Sequence, residues 1–323
     1  MYNSQPYYIK SIFKNQLVKR SSTMIYYIFP KLQKTFLQNS YCSYDLKQPI
    51  PIYIPSLYHY VNEILSNYQL YSKCLEIHNK FLQVLNEINY NTDLCIYESI
   101  EIFQIFHISF PNYPANTLHF DELSYENRNY LCKNIHTSNL VAFENDHVFS
   151  PKYDFAYCSS YELSEYNNAI NAFCQMCITV LNLKKNGNCL LKYNDIFLHL
   201  SLEMILFFST FFDKTFIYKP AVANIAKGDR YIIFRGFQGT NDTTQTYVKN
   251  IFQGIRSCSR FQSIQNILQT DIPILYWSKL EEINSIFGQA QLESIQDIAN
   301  NIDSEVSVKQ KAEAWCNKYM KKV

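Results

Sequence analysis

Apolar residues recur at three- and four-residue spacing from Val61 to Val84, which predicts a helix. Asp93–Tyr97 (DLCIY) is a short apolar run of strand type, and Glu98–Phe106 predicts a helix after it. Thr117–Phe120, Leu140–Phe143 and Tyr153–Cys158 (YDFAYC) read as strands. Asn168–Leu183 predicts an amphipathic helix with Ile170, Phe173, Cys174, Cys177, Ile178 and Leu181 on one face. Then come a strand at Asn188–Tyr193, a helix at Leu198–Phe212, a strand at Lys214–Tyr218 and a β-rich strand at Arg230–Phe237 (RYIIFRGF). Strands that alternate with helices predict an α/β fold with a mostly parallel sheet covered on both faces. Past Phe237 the pattern changes. Asp242–Arg260 is polar, and Ile274–Phe287 and Gln291–Met320 predict helices that end in a basic tail.

These shifts divide the chain into a basic N-terminal extension with a Pro-containing linker (1–60), an α/β domain (61–240) and a helical C-terminal extension (241–323). The linker is Gln48–Pro55 (QPIPIYIP), with three Pro in a short stretch. The first 44 residues hold no Asp or Glu but carry Lys10, Lys14, Lys19, Arg20, Lys31 and Lys34. Three readings of that segment stand: a basic arm for RNA phosphates, an organelle presequence, or a divergent tail.

The net charge of +1 gives no global argument for nucleic acid or membrane. No apolar run reaches the roughly 18 residues needed to span a bilayer. Leu200–Phe212 comes nearest, but it contains Ser201, Glu203 and Ser209 and reads as a buried helix. No membrane partner is expected, and the ten scattered Cys without a secretory signal suggest an intracellular, cytoplasmic setting. The CxxC at Cys174–Cys177 lies in a helical apolar pattern and reads as core. No Cys/His spacing suggests a metal site. Tyr (27) and Phe (23) are abundant and Gly (6) is scarce, a bias an AT-rich genome would produce. Aromatic clusters are therefore read as core before they are read as base-stacking platforms.

The segment Gly187–Phe237 carries the chemistry. It reads GNCLLKYNDIF, a helix, then FFDKTFIYKPAVANIAKGDRYIIFRGF. This resembles the second half of FtsJ-like RNA ribose 2′-O-methyltransferases, above all the cap-specific enzymes of eukaryotes and large DNA viruses. Those have a Gly, a strand ending in Lys, a Phe-rich helix, then Lys-Pro followed at fixed spacing by Glu-Arg-Tyr. Lys219-Pro220 and Asp229-Arg230-Tyr231 keep that spacing. Tyr153–Ser160 matches a strand that ends in Asp-Gly in the family, Leu94–Phe103 a strand followed by Glu-Ala-Pro-Gly-Gly-Phe, and Ser72–Ile77 a helical Lys before Leu and Glu. The resemblance covers about residues 65–240, with a weaker extension to 320. It implies a Rossmann-like S-adenosylmethionine-dependent methyltransferase fold: a mostly parallel seven-stranded sheet with helices on both faces, here with a helical C-terminal appendage.

The resemblance also implies where the chemistry would sit. Methyl transfer to a poorly acidic ribose hydroxyl needs the oxygen oriented and its proton removed or its charge stabilised. The family uses a Lys–Asp–Lys–Glu group, and the matching positions are Lys73, Ser159, Lys192 and Asp229. Ser159 brings no charge to Lys192. The cofactor turn maps to Glu98, Ser99, Ile100, Glu101, Ile102 and Phe103, where Glu101 and Ile102 replace two glycines that let backbone approach the cofactor. Lys219, Arg230 and Arg235 are the expected RNA contacts. Three functions follow. One is a catalytically degenerate homologue with no bound cofactor, acting as an RNA-binding or regulatory subunit beside a catalytic or assembly partner. Another is an active, divergent mRNA cap 2′-O-methyltransferase using S-adenosylmethionine. The third is a structural component of a larger assembly, with a viral factory or virion as one setting.

Overall fold

The computed structural model of the protein describes residues 7–9, 24–31, 43–44, 54–89, 94–108, 116–120, 134–137, 151–159, 165–224, 227–257, 264–268, 272–300 and 305–320. In chain order the strands are β1 (Tyr7–Ile9), β2 (Met24–Phe29), β3 (Ser43–Tyr44), β4 (Asn116–His119), β5 (Asn134–Thr137), β6 (Tyr153–Ser159), β7 (Leu183–Tyr193), β8 (Phe212–Tyr218), β9 (Arg230–Phe237) and β10 (Ile264–Asn266). The helices are α1 (Pro55–Ser66), α2 (Tyr68–Asn89), α3 (Leu94–Ile105), α4 (Glu165–Asn182), α5 (His199–Ser209), α6 (Asp242–Ser257), α7 (Ile274–Ala299) and α8 (Glu305–Tyr319).

Eight strands form one sheet in the order β1-β2-β8-β9-β7-β6-β4-β5, and β3 pairs β10 separately. β5, β4, β6 and β7 are parallel neighbours. β9 runs against both β7 and β8, and β2 runs against β8 and β1. Six strands therefore share a direction and two oppose it. Among the described residues the sheet is a mixed one of eight strands, in place of the expected seven. Two of the eight, β1 and β2, come from the basic N-terminal segment, whose Tyr27 and Phe29 are buried against the core.

Burial explains the strands. β6 is buried from Phe155 through Ser159, the near-continuous pattern of a strand covered on both faces. One face of the sheet presents Ala156, Cys158, Cys189, Leu191, Tyr193, Ile232 and Phe234 to α4, α5, α6 and α7. α5 is mostly apolar and is buried from Leu200 to Ser209, with Phe207 and Phe208 packed on Phe173. The other face presents Phe155, Tyr157, Leu190, Tyr218, Tyr231 and Ile233 to Ile102 of α3 and to Phe106 just after it. α2 and α8 cover α3 in turn, through Leu85, Tyr97, Ile100, Ala312 and Trp315. The C-terminal residues thus complete both layers of the core instead of trailing from it.

One expected strand is a helix. The composition of Asp93–Tyr97 predicts a strand, yet α3 starts at Leu94 and runs through the turn that the resemblance implies at Glu98–Phe103. β4 pairs directly with β6. The reason lies in the spacing of two carboxylates. Glu98 and Glu101 are three residues apart, on opposite faces of a strand but on one face of a helix. Both are fully buried, and both reach partners on the sheet, Lys192 for Glu98 and Tyr218 for Glu101. Tertiary contacts here outweigh local β propensity. The strand expected at Leu140–Phe143 lies outside the described residues. β5 was not anticipated.

Gly187 lies within β7, where the pairing with β6 shifts register. A Cβ there would sit 2.8 Å from Leu183 Cγ, 2.9 Å from the Lys184 carbonyl and 3.0 Å from the Asp154 carbonyl. Two of the three are backbone atoms that cannot swing away. Gly187→Ala is expected to destabilise the fold by about 1–3 kcal/mol, read as a lowered urea midpoint with an unchanged slope.

Candidate functional site

Lys192 stands near the C-terminal end of β7, the end of an α/β sheet where ligands usually gather. Ser159 is its register partner in β6 and Tyr231 its register partner in β9. All three side chains belong to the face that α3 covers, since they alternate in step with Tyr157, Leu190 and Ile233. α3 lays Glu98 across them. Lys192 Nζ lies 2.6 Å from Glu98 Oε2, and Tyr231 donates its hydroxyl to the same oxygen at 2.8 Å. The Tyr157 hydroxyl is 3.1 Å from that of Tyr231, and His119 stacks on the Tyr157 ring at 5.8 Å. A polar chain thus crosses β4, β6, β9 and β7 and ends at the ammonium.

Lys192 is 5% exposed and Glu98 is 0% exposed. Such a pair persists only where good geometry and further hydrogen bonds offset the loss of water. Tyr231 supplies both, since its hydroxyl bonds the carboxylate while its ring centre lies 5.7 Å from the ammonium. Glu98 Oε1 and Ser159 Oγ are buried and make no hydrogen bond among the described residues.

One helical turn on, Glu101 ties three elements to α3. Its Oε1 accepts from the Tyr218 hydroxyl and from the Ala221 N–H at 2.8 Å. Its Oε2 accepts from Trp315 Nε1 of α8 at 2.7 Å. Burial pushes the Glu101 carboxyl above its ordinary pKa, and these donors pull against that shift.

α2 closes the other side with His78. Burial, then the charges of Lys227 and Lys192, push its imidazole down to about 4, and Asp229 opposes this. Burial lowers the Lys219 ammonium to about 8, while Asp229 and Asp195 hold it up. Lys219 donates to the Lys227 carbonyl. Asp195 sits against Gly228, where a Cβ would lie 2.0 Å from its Oδ1, so only glycine admits the carboxylate there.

The structure therefore brings together Lys192, Ser159, Glu98 and Tyr231, with Asp229 and Lys219 at the same end of the sheet. It does not bring Lys73 there: that ammonium donates at 3.4 Å to the Ala299 carbonyl, at the C-terminal end of α7. His78, five residues on, is the α2 side chain that feels Lys192 and Asp229. Arg230 is 1% exposed, with its guanidinium on Asn284 Oδ1 and 4.9 Å from the Phe287 ring centre. It is a core cation, closed to phosphates. Arg235 pairs with Lys214 near the opposite end of β9. Ser99, Ile100 and Ile102 are buried in α3 and Phe103 packs on Phe155, so the expected cofactor turn is a packed helix. Asp154 binds Lys184 at the far end of β6 and cannot reach Lys192. Among the described residues no group of three His, Cys, Asp or Glu is placed to hold a metal, and no helix is long and apolar enough to cross a membrane.

Sequence reasoning missed Glu98 as the partner of Lys192, and it missed His78, Tyr157 and Trp315. The i, i+3 spacing of Glu98 and Glu101 in an apolar run was the signal available for the first.

Two outcomes are expected. Glu98→Gln removes the negative charge that offsets the buried ammonium and should cost about 3–5 kcal/mol, measured by urea unfolding. The double variant Glu98→Gln/Lys192→Met should recover much of that loss. His78 takes up protons less readily when folded than when unfolded. Its stabilising contribution is present above pH about 6.5 and is lost as pH falls toward about 4. His78→Gln should flatten the stability-against-pH curve across that window.

No family model matches the chain. A stretch of 60 residues, 19% of the chain, is 35% identical to the cap-specific mRNA (nucleoside-2'-O-)-methyltransferase of Autographa californica nuclear polyhedrosis virus. That stretch covers 23% of the viral protein, so the chain matches about a quarter of the length of this curated relative.

Proposed function

We propose that the chain is a methyltransferase-related protein that has lost methyl transfer and serves as an RNA-binding or regulatory subunit beside a catalytic partner. One observation carries this reading. α3 takes the place of the expected cofactor turn, and its Glu98 occupies the ammonium of Lys192. A family cofactor would need an open glycine turn whose backbone N–H groups face its methionine end. Residues 98–103 lie inside a helix instead, and Glu98 and Glu101 bury two carboxylates in the segment that the resemblance matches to the cofactor turn. S-adenosylmethionine does not fit the residues present. Lys219 and Lys227 flank the same end of the sheet, and the basic N-terminal segment supplies further cations for phosphates.

An active-enzyme reading draws on Glu98 as well, because it gives Lys192 the carboxylate that Ser159 does not. The test is calorimetric titration with S-adenosylmethionine, using an FtsJ-like enzyme as positive control. No heat of binding at millimolar cofactor is expected. Micromolar binding, with methyl transfer to capped RNA that Lys192→Met abolishes, would establish the active reading instead.

A further inference from the structure

We propose that α8 is an intramolecular clasp that holds α3 in place and thereby keeps Lys192 closed. α3 has little reason of its own to be a helix. Its sequence, LCIYESIEIFQI, holds four Ile with Tyr, Phe, Cys and Ser, residues of modest helix propensity, and its first turn carries no acidic residue. A 12-residue helix of that composition is marginal in isolation. Its form therefore depends on what packs against it, and α8 adds directed contacts to those from the sheet and from α2.

Three contacts define the clasp. Trp315 donates its indole N–H to Glu101 Oε2 at 2.7 Å, with both groups buried. The Trp315 ring meets Tyr97 edge-on at 5.5 Å between centres. Gln104 donates to the Tyr319 carbonyl in the last turn of α8. Trp315, Ala312, Cys316 and Tyr319 share one core cluster with Cys95, Ile96, Tyr97 and Ile100 of α3. Glu101 lies one turn after Glu98 on the same helical face, so the carboxylate held by α8 and the one on Lys192 move together. Loss of the indole N–H leaves a fully buried carboxylate short of a donor. Two reliefs are open: Glu101 takes up a proton, or α3 shifts and lifts Glu98 from Lys192. The clasp entails the second.

The device concerns access to Lys192 and does not require S-adenosylmethionine to bind. It stands or falls separately from the proposed loss of methyl transfer. The test is acylation of the full-length protein by an amine-reactive ester, with the rate at each lysine read by peptide mass spectrometry. Lys227, exposed, and Lys279, buried in α7 beside Glu282, serve as references. In the wild type, Lys192 should react far more slowly than Lys227. Trp315→Phe keeps the ring and removes the N–H. It should speed acylation of Lys192 by about tenfold or more, the effect of a lost hydrogen bond to a buried charge, and leave Lys279 unchanged. Trp315→Ala should do so more strongly. Lys192 rates equal to wild type in both variants would overturn the proposal. So would a parallel rise at Lys279 in Trp315→Phe, because that would report general loosening of the fold.

Discussion

The contact on which the rest of this structure depends is the buried ion pair between Lys192 and Glu98. Two charges that leave water must meet at close range and satisfy their remaining hydrogen-bonding capacity. Lys192 is fixed by β7 at the end of the sheet, so Glu98 has to come to it. That requirement sets the position of α3, and the three-residue step to Glu101 then sets where Tyr218, Ala221 and Trp315 must lie. Helix, sheet end and C-terminal helix are joined through two carboxylates.

The abundance of aromatic residues serves this arrangement in two ways. On one face of the sheet, phenylalanines of α4 and α5 fill the space by ring packing alone. On the other face, tyrosines supply both bulk and hydroxyls: Tyr231 and Tyr218 donate to Glu98 and Glu101, and Tyr157 extends the chain of hydroxyls. A carboxylate can be buried there because the surrounding rings carry a polar tip. Composition alone does not distinguish these uses.

Much of the fold was legible in the sequence where local and tertiary demands agree. β6, β7, β8, β9, α4 and α5 fall close to where periodicity and apolar runs place them, because their burial pattern is their sequence pattern. Where the two demands conflict, the reading failed. Leu94–Tyr97 has strand composition but is helical, for the sake of carboxylate partners far away in sequence. Met24–Phe29 sits in a basic segment, yet it joins the sheet edge because Tyr27 and Phe29 have core to bury against. For the site, Lys192 was singled out by motif, and it stands near the C-terminal end of β7. Its partner came from the segment expected to bind a cofactor, where the i, i+3 spacing of Glu98 and Glu101 marks a helical face but not what that face meets. Arg230 looked like a surface cation and is enclosed by Asn284 and Phe287 of α7, contacts more than 50 residues away in sequence.

The most direct test of the central claim is a crystal structure of the protein grown with saturating S-adenosylhomocysteine, the demethylated form of the expected cofactor. This account expects α3 to remain helical from Leu94 to Ile105, with Glu98 on Lys192 and no ligand density beside them. A bound nucleoside at an open turn over residues 98–103, with Lys192 released from Glu98, would contradict it.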